Sequence, residues 1–389
     1  MQIFRTALKE ALWVFVFSRL TILVISYLCV VLFNFLDCTH GINPNPCLLA
    51  WYHWDDAAYV HIAYQGYIHT PDVAFFPLWP LLIHFGGLLL GGQIPLSYYL
   101  AGILLSNICF YFALTLLYWL LCEDFEPSLA KRALFYLAFY PYALFFFAGY
   151  IESLFVLLSV AFFLLLQRGK SLDWWFAGGI GCLAALTRST GILLCIPFLI
   201  MYARRFWLPA VRNQYGWFQR VSALAPIVLI PAAVLAYLIY LSYTKGNPFI
   251  ISTEEATVWN RHFVWIWTTL HKMQKFFFAS PAFSLDFAKN LLDLAFTTFP
   301  IVALIVGWKR LPLHYCLFAL AAIIFSISFP LGSVNPLASQ PRYMMSIFPL
   351  IVVFALWGKR PRFDQLFIAL GPPLLAFNTI LYISHSWVA

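Results

Sequence analysis

Apolar runs of roughly 15 to 27 residues, separated by short polar breaks, recur along the whole chain, and runs of that length are what a bilayer-spanning helix requires. They predict spans over 10–36, 95–121, 133–149, 151–167, 173–187, 189–203, 221–243, 284–307, 312–330, 343–358 and 364–385. The stretch 76–91 is apolar too, but it holds Pro77 and Pro80 and ends in Gly91-Gly92, so it reads as a short span or an interfacial helix. The longest polar stretches are 36–75 and 244–283. No repeat, low-complexity tract or soluble linker divides the chain. The pattern therefore predicts an all-α polytopic membrane protein with about 11 transmembrane helices, organised as one domain over 1–389.

Composition agrees, since 63% of the 389 residues are hydrophobic and only 10% are charged. A soluble domain carries about 25% charged residues, so this chain has too little polar surface to face water. The net charge of +8 does not point to nucleic acid, because most basic residues fall in short loops between apolar runs. With the N-terminus inside and 76–91 not crossing, about fifteen basic residues lie on the inner side, Lys131, Arg132, Arg204, Arg205, Lys309 and Arg310 among them, against about six outside. That choice places 36–94, 244–283 and 331–342 outside and the C-terminus outside. If 76–91 crosses, every later loop inverts and the rule fails. No small-residue cleavage site follows the first run, so it reads as a retained anchor.

Cys29, Cys109, Cys182, Cys195 and Cys316 lie inside apolar runs and read as packing residues, with Cys122 at a helix end. Cys38 and Cys47 share the first polar loop. They form a local disulfide if that loop faces an oxidising compartment, and are two loop thiols otherwise.

The stretch from Trp51 to Pro80 concentrates polar and aromatic residues in an otherwise apolar chain. Asp55 and Asp56 are adjacent carboxylates, suited to general-base work or to capping a short helix over DDAAYVHIA. His61 and Tyr64 follow on neighbouring turns and either line the same pocket or bond locally. Tyr150 and Glu152 sit at a turn between two short spans, where Glu152 needs a partner or water unless it merely favours a helix start. Arg188, in LTRSTG at 186–191, either meets a phosphate, whose oxygens match the guanidinium fork, or pairs with Glu152. Gln340, Arg342 and Tyr343 end an outer loop, where Arg342 is a second phosphate candidate or a snorkelling rim residue and Tyr343 can stack on a lipid or sugar. The topology sets all these sites on one side. Carboxylates with arginines suit transfer of a group from a phosphate leaving group. His53, His61, Asp55 and Asp56 allow at most a weak divalent-metal site, with no CxxC or metal-spaced set.

These residues resemble the PIG-V-type mannosyltransferases of the GT-C superfamily. The densest match is Trp54-Asp55, His61-Ile62-Ala63, Gly66-Tyr67 and Ala74-Phe75-Phe76-Pro77 with Pro80. GYIES at 149–153, LTRSTG, and Arg342-Tyr343 before a phenylalanine-proline helix extend it, and 205–285 holds no matched motif. The resemblance implies a GT-C-like fold with juxtamembrane helices in the loop 36–94, and a polyprenyl-phosphate mannose donor used at the extracytoplasmic face. It further implies a glycolipid or glycan acceptor, Asp55 as catalytic base, and no metal or other cofactor. Compact loops and a shorter chain than the eukaryotic members suggest the bacterial inner membrane, or the endoplasmic reticulum if the source is eukaryotic. Against inverting glycosyl transfer stand a lipid-linked glycan flippase, which would favour repeated halves with broken helices, and a membrane scaffold, which the clustered ionisable residues disfavour.

Overall fold

A computed structural model describes residues 2–33, 49–92, 94–207, 216–279, 281–332 and 335–388. Every regular element among them is a helix. The chain begins with α1 (Gln2–Phe33), passes to the short helices α2 (Asp55–Gln65) and α3 (Leu78–Leu89), and continues through α4 (Pro95–Asp124), α5 (Pro127–Ala138), α6 (Glu152–Arg168) and α7 (Ser171–Ala185). Next come α8 (Cys195–Phe206), α9 (Trp217–Leu224) and α10 (Leu229–Lys245), then α11 (Ile250–Val258) and α12 (Ile266–Ala279) in the polar stretch. The last are α13 (Leu285–Gly307), α14 (Leu313–Ile327), α15 (Gln340–Ser346), α16 (Phe348–Trp357) and α17 (Pro361–Ile383). The Cys38–Cys47 pairing lies outside the described residues.

By length and apolar composition, six described helical stretches can cross a bilayer, or seven if the bent pair α15–α16 is one span. This is fewer than eleven because several expected spans are short or broken. Where 312–330 was expected, α14 has only 15 residues and is about 22 Å long, against a hydrocarbon core of about 30 Å.

Two breaks shape the site. The expected span 133–149 is helical only to Ala138, then runs through Pro141 and a 3₁₀ turn at Ala143–Phe146. Pro141 cannot donate to a helical ladder, and a buried non-helical backbone needs partners from elsewhere. Neighbouring helices supply them. Asn378 donates to the Pro141 carbonyl at 2.9 Å, Ser106 to Phe146 at 3.3 Å, Asn107 to Phe147 at 3.0 Å, and Trp79 Nε1 to Gly149 at 2.8 Å. The second break is at Ile347, just before Pro349, where α15 and α16 meet at 80°. Helix α15 therefore lies across its neighbours, carrying Arg342 and Tyr343 inward. Gln340 fixes it to α14, donating from Nε2 to the Ser326 carbonyl at 2.8 Å while Oε1 accepts from the Ser326 hydroxyl.

Candidate active site

A cavity of about 600 Å³ is lined by Asp55 and Tyr59 of α2, Glu152 at the start of α6, Arg188 after α7, and Arg342 and Tyr343 of α15. Glu255 of α11, Arg261 of the following loop and Trp387 add to its charged and aromatic wall. These residues come from distant parts of the chain. The volume is in the range of small-ligand sites and has room for a sugar and a phosphate.

Helix α2 is entered through a tight reversal. Trp54 has φ 56°, a region disfavoured for a bulky residue at a cost of about 1–3 kcal/mol. Its indole lies edge-on to Trp387 at 4.8 Å, and the Tyr382 hydroxyl donates to the carbonyl of Trp51 at 3.2 Å or of His53 at 3.3 Å. Asp55 and Asp56 then fall in the first helical turn, where unpaired backbone N–H groups favour negative charge. Asn260, Ser339 and His385 also have positive φ, and precede Arg261, α15 and Trp387. Among the described residues, four of the five such non-glycine positions thus sit on segments lining the cavity, the fifth being Phe283. Strain of this kind concentrates where side chains must be aimed.

Arg342 is the hub. Its Nη1 donates to Asp55 Oδ2 at 2.8 Å, and its Nε lies 3.3 Å from Glu152 Oε1. The second contact is at ion-pair distance but is not aligned as a hydrogen bond, for Nε has no such partner among the described residues. Glu152 is 1% exposed and Arg342 7%, whereas Asp55 is 25% exposed at the cavity wall. Arg188 Nη1 reaches Glu152 only at 4.0 Å and is 15% exposed, which leaves it donors for a ligand. Arg261 donates from Nη2 to the Tyr343 hydroxyl at 3.0 Å and from Nη1 to Glu255 at 3.4 Å. The guanidinium carbons of Arg188, Arg342 and Arg261 lie 4.8, 5.3 and 5.8 Å from the centre of the Tyr343 ring. Each such contact is worth about 0.5–2 kcal/mol. Three like charges around one ring are tolerable because Asp55, Glu152 and Glu255 oppose them.

Other candidates from the sequence face elsewhere. Asp56 is fully buried, and its Oδ1 occupies the space that a Cβ at Gly149 would fill, so this carboxyl is seated on the bare Gly149 backbone. Neither of its oxygens has a hydrogen-bond partner among the described residues. Tyr150 is buried beneath Arg342, whose guanidinium lies 5.2 Å from its ring, and its hydroxyl meets that of Tyr382 at 3.4 Å. His61 stacks on His69 at 5.1 Å, and Tyr64 packs on Tyr98 at 5.3 Å, both away from the cavity. Gln340 is taken up by Ser326. His53 lies 4.0 Å from His385, and burial and that neighbour hold it down at about 4. His53, Asp55, Asp56 and His61 therefore face different partners. No group of three or more His, Cys, Asp or Glu side chains suited to a metal gathers among the described residues.

Burial, with the Asp55 charge second, pushes the Asp56 carboxyl well above its usual range. The folded state then holds a proton that the unfolded state releases above about pH 4. As pH rises from there toward the folded value, stability falls. We expect Asp56→Asn to remove this slope. Thermal unfolding in detergent from pH 4 to 8 should show the wild type losing ground to the variant as pH rises. Parallel curves would show that Asp56 is not held neutral.

Tyr59, Glu255, Arg261 and Trp387 were not singled out from the sequence. Tyr59 had a signal, since it follows Asp55 by four residues and so shares its helical face. Glu255 and Arg261 had only their place in a polar outer stretch.

The family model "Mannosyltransferase (PIG-V)" matches residues 8–311. The chain belongs to the PIG-V mannosyltransferase family. It is similar to GPI mannosyltransferase 2 of Schizosaccharomyces pombe, 26% identical over 59% of this chain and 51% of the relative. It is also similar to the mouse GPI alpha-1,6-mannosyltransferase 2, 30% identical over 49% of this chain and 40% of the relative. The chain thus spans about half the length, or less, of these curated relatives. Among solved structures it resembles ArnT from Cupriavidus metallidurans bound to undecaprenyl phosphate, with a TM-score of 0.50, 16% identity, and coverage of 91% of this chain and 62% of that one. That likeness is one of helical fold alone, and this PIG-V-family chain is a multi-pass membrane protein.

Proposed function

We propose that this protein transfers mannose from a polyprenyl-phosphate-linked donor to a hydroxyl of a glycolipid or glycan acceptor at the extracytoplasmic face, with inversion. The observation that carries this reading is that Asp55, Arg188 and Arg342 share one cavity. Asp55 takes the proton of the acceptor hydroxyl. The freed oxygen attacks the anomeric carbon, the bond from that carbon to the phosphate oxygen breaks, and its electron pair stays on the lipid phosphate. Arg188 and Arg342 offset the charge that appears there. When Asp55 becomes neutral, the balance of Asp55 and Glu152 against the two arginines shifts by one positive charge, matching the charge gained by the departing phosphate. Asp55 suits the base role better than Asp56, because Asp55 lines the cavity while Asp56 is sealed against Gly149. Charge compensation comes from side chains, so the reaction so drawn uses no nucleotide and no metal.

The test is transfer by purified protein in detergent or liposomes, with radiolabelled polyprenyl-phosphate mannose and a mannose-terminated glycolipid acceptor. The expected result is labelled acceptor together with free polyprenyl phosphate, released only when acceptor is present. Movement of the donor across liposomes without such release would favour a flippase and overturn the reading.

A further inference from the structure

The segment 259–265 joins α11 to α12, lies in the stretch with no recognised motif, and enters the cavity wall through Arg261. It is held in place at both ends. The Arg261 N–H donates to the Glu255 carbonyl at 2.8 Å, and the Val264 N–H donates to the Ser328 carbonyl at 2.9 Å. Asn260, immediately before Arg261, has a positive φ of 49°, as Trp54, at 56°, does before Asp55. Arg261 shares the Tyr343 ring with Arg188 and Arg342. Its own carboxylate contact is a long one, at 3.4 Å to a Glu255 side chain 23% exposed, and its Nε has no hydrogen-bond partner among the described residues.

We propose that Arg261 is a third phosphate-binding residue, closing a three-arginine clamp on the lipid-linked donor, and that Glu255 holds it in place until the phosphate arrives. This deepens the donor reading given above and rests on it. Two arguments support the assignment. Arg342 is committed to Asp55 and Glu152, so it cannot give its full fork to a ligand, and Arg188 alone offers one. In addition, a phosphodiester donor carries one negative charge, whereas the phosphate monoester left after transfer carries close to two at neutral pH. A third cation on the same ring matches a charge that grows during departure. A planar guanidinium whose one carboxylate contact is long, at 3.4 Å, can exchange it for charge-assisted bonds to phosphate oxygens.

The test compares Arg261→Gln, Arg261→Lys and Glu255→Gln with wild type, all in detergent. The readouts are affinity for polyprenyl phosphate, affinity for uncharged polyprenol, and donor KM in the transfer assay. Loss of a charge-assisted contact should weaken polyprenyl phosphate binding by about ten- to a hundredfold in Arg261→Gln. Polyprenol binding should not change, Lys should restore part of the loss, and Glu255→Gln should bind polyprenyl phosphate as tightly as wild type or more so. If Arg261 only braces Glu255 and Tyr343, the Gln variants at 261 and 255 lose affinity together, and that result overturns the inference. Wild-type affinity in Arg261→Gln overturns it as well. The two proposals fail separately. Absence of transfer by wild type, with the binding differences intact, removes the mannosyltransferase reading and leaves the phosphate site. Normal transfer with an unchanged donor KM in Arg261→Gln removes the site and leaves the reaction.

Discussion

Asp55→Asn is expected to lower transfer by about a thousandfold while leaving the protein folded. The substitution keeps the shape and one acceptor oxygen, so Arg342 retains a hydrogen-bond partner there and its contact with Glu152 at 3.3 Å. What it removes is the capacity to take a proton. Single-turnover transfer from polyprenyl-phosphate mannose, read beside the unfolding temperature of the same preparation, separates the two effects. Turnover near the wild-type rate in a folded Asp55→Asn protein would take Asp55 out of the mechanism.

The second large effect is expected at Arg342. Arg342→Met deletes the cation that faces both Asp55 and Glu152, and Glu152 is 1% exposed. Removing one partner of a buried ion pair leaves an uncompensated charge, at a cost of about 3–5 kcal/mol. Arg188, at 4.0 Å, is too far from Glu152 to replace that ion pair in full. The variant should therefore unfold at a markedly lower temperature and show no transfer. Adding Glu152→Gln removes the stranded charge, so the double variant should recover most of the stability and none of the activity. A single variant as stable as wild type would mean that the pair does not brace α15 against α6.

Much of this was legible along the chain. The apolar runs locate the long helices, because a bilayer core needs continuous apolar length whatever the neighbours are. Asp55, Glu152, Arg188 and Arg342 stood out because charge is rare and expensive in such a chain. Helix continuity was less legible. Residues 133–149 are as apolar as a span, yet the chain leaves the helix near Pro141 because Ser106, Asn107, Asn378 and Trp79 take up its carbonyls. Those partners are up to 237 residues away in sequence. The 80° bend that carries Arg342 into the cavity likewise depends on how α15 is fastened to α14.

The sequence by itself determined that this is a helical membrane protein and which charged residues needed an explanation, since both follow from the local cost of exposing apolar surface or burying charge. The tertiary structure alone decided which of those residues meet. The family resemblance favoured Asp55 over the adjacent Asp56, and packing is what sends one into the cavity and the other onto the bare backbone of Gly149. It also brought Arg261 beside Tyr343 across 82 residues, because long-range contact is set by the assembly of helices and not by periodicity along any one of them.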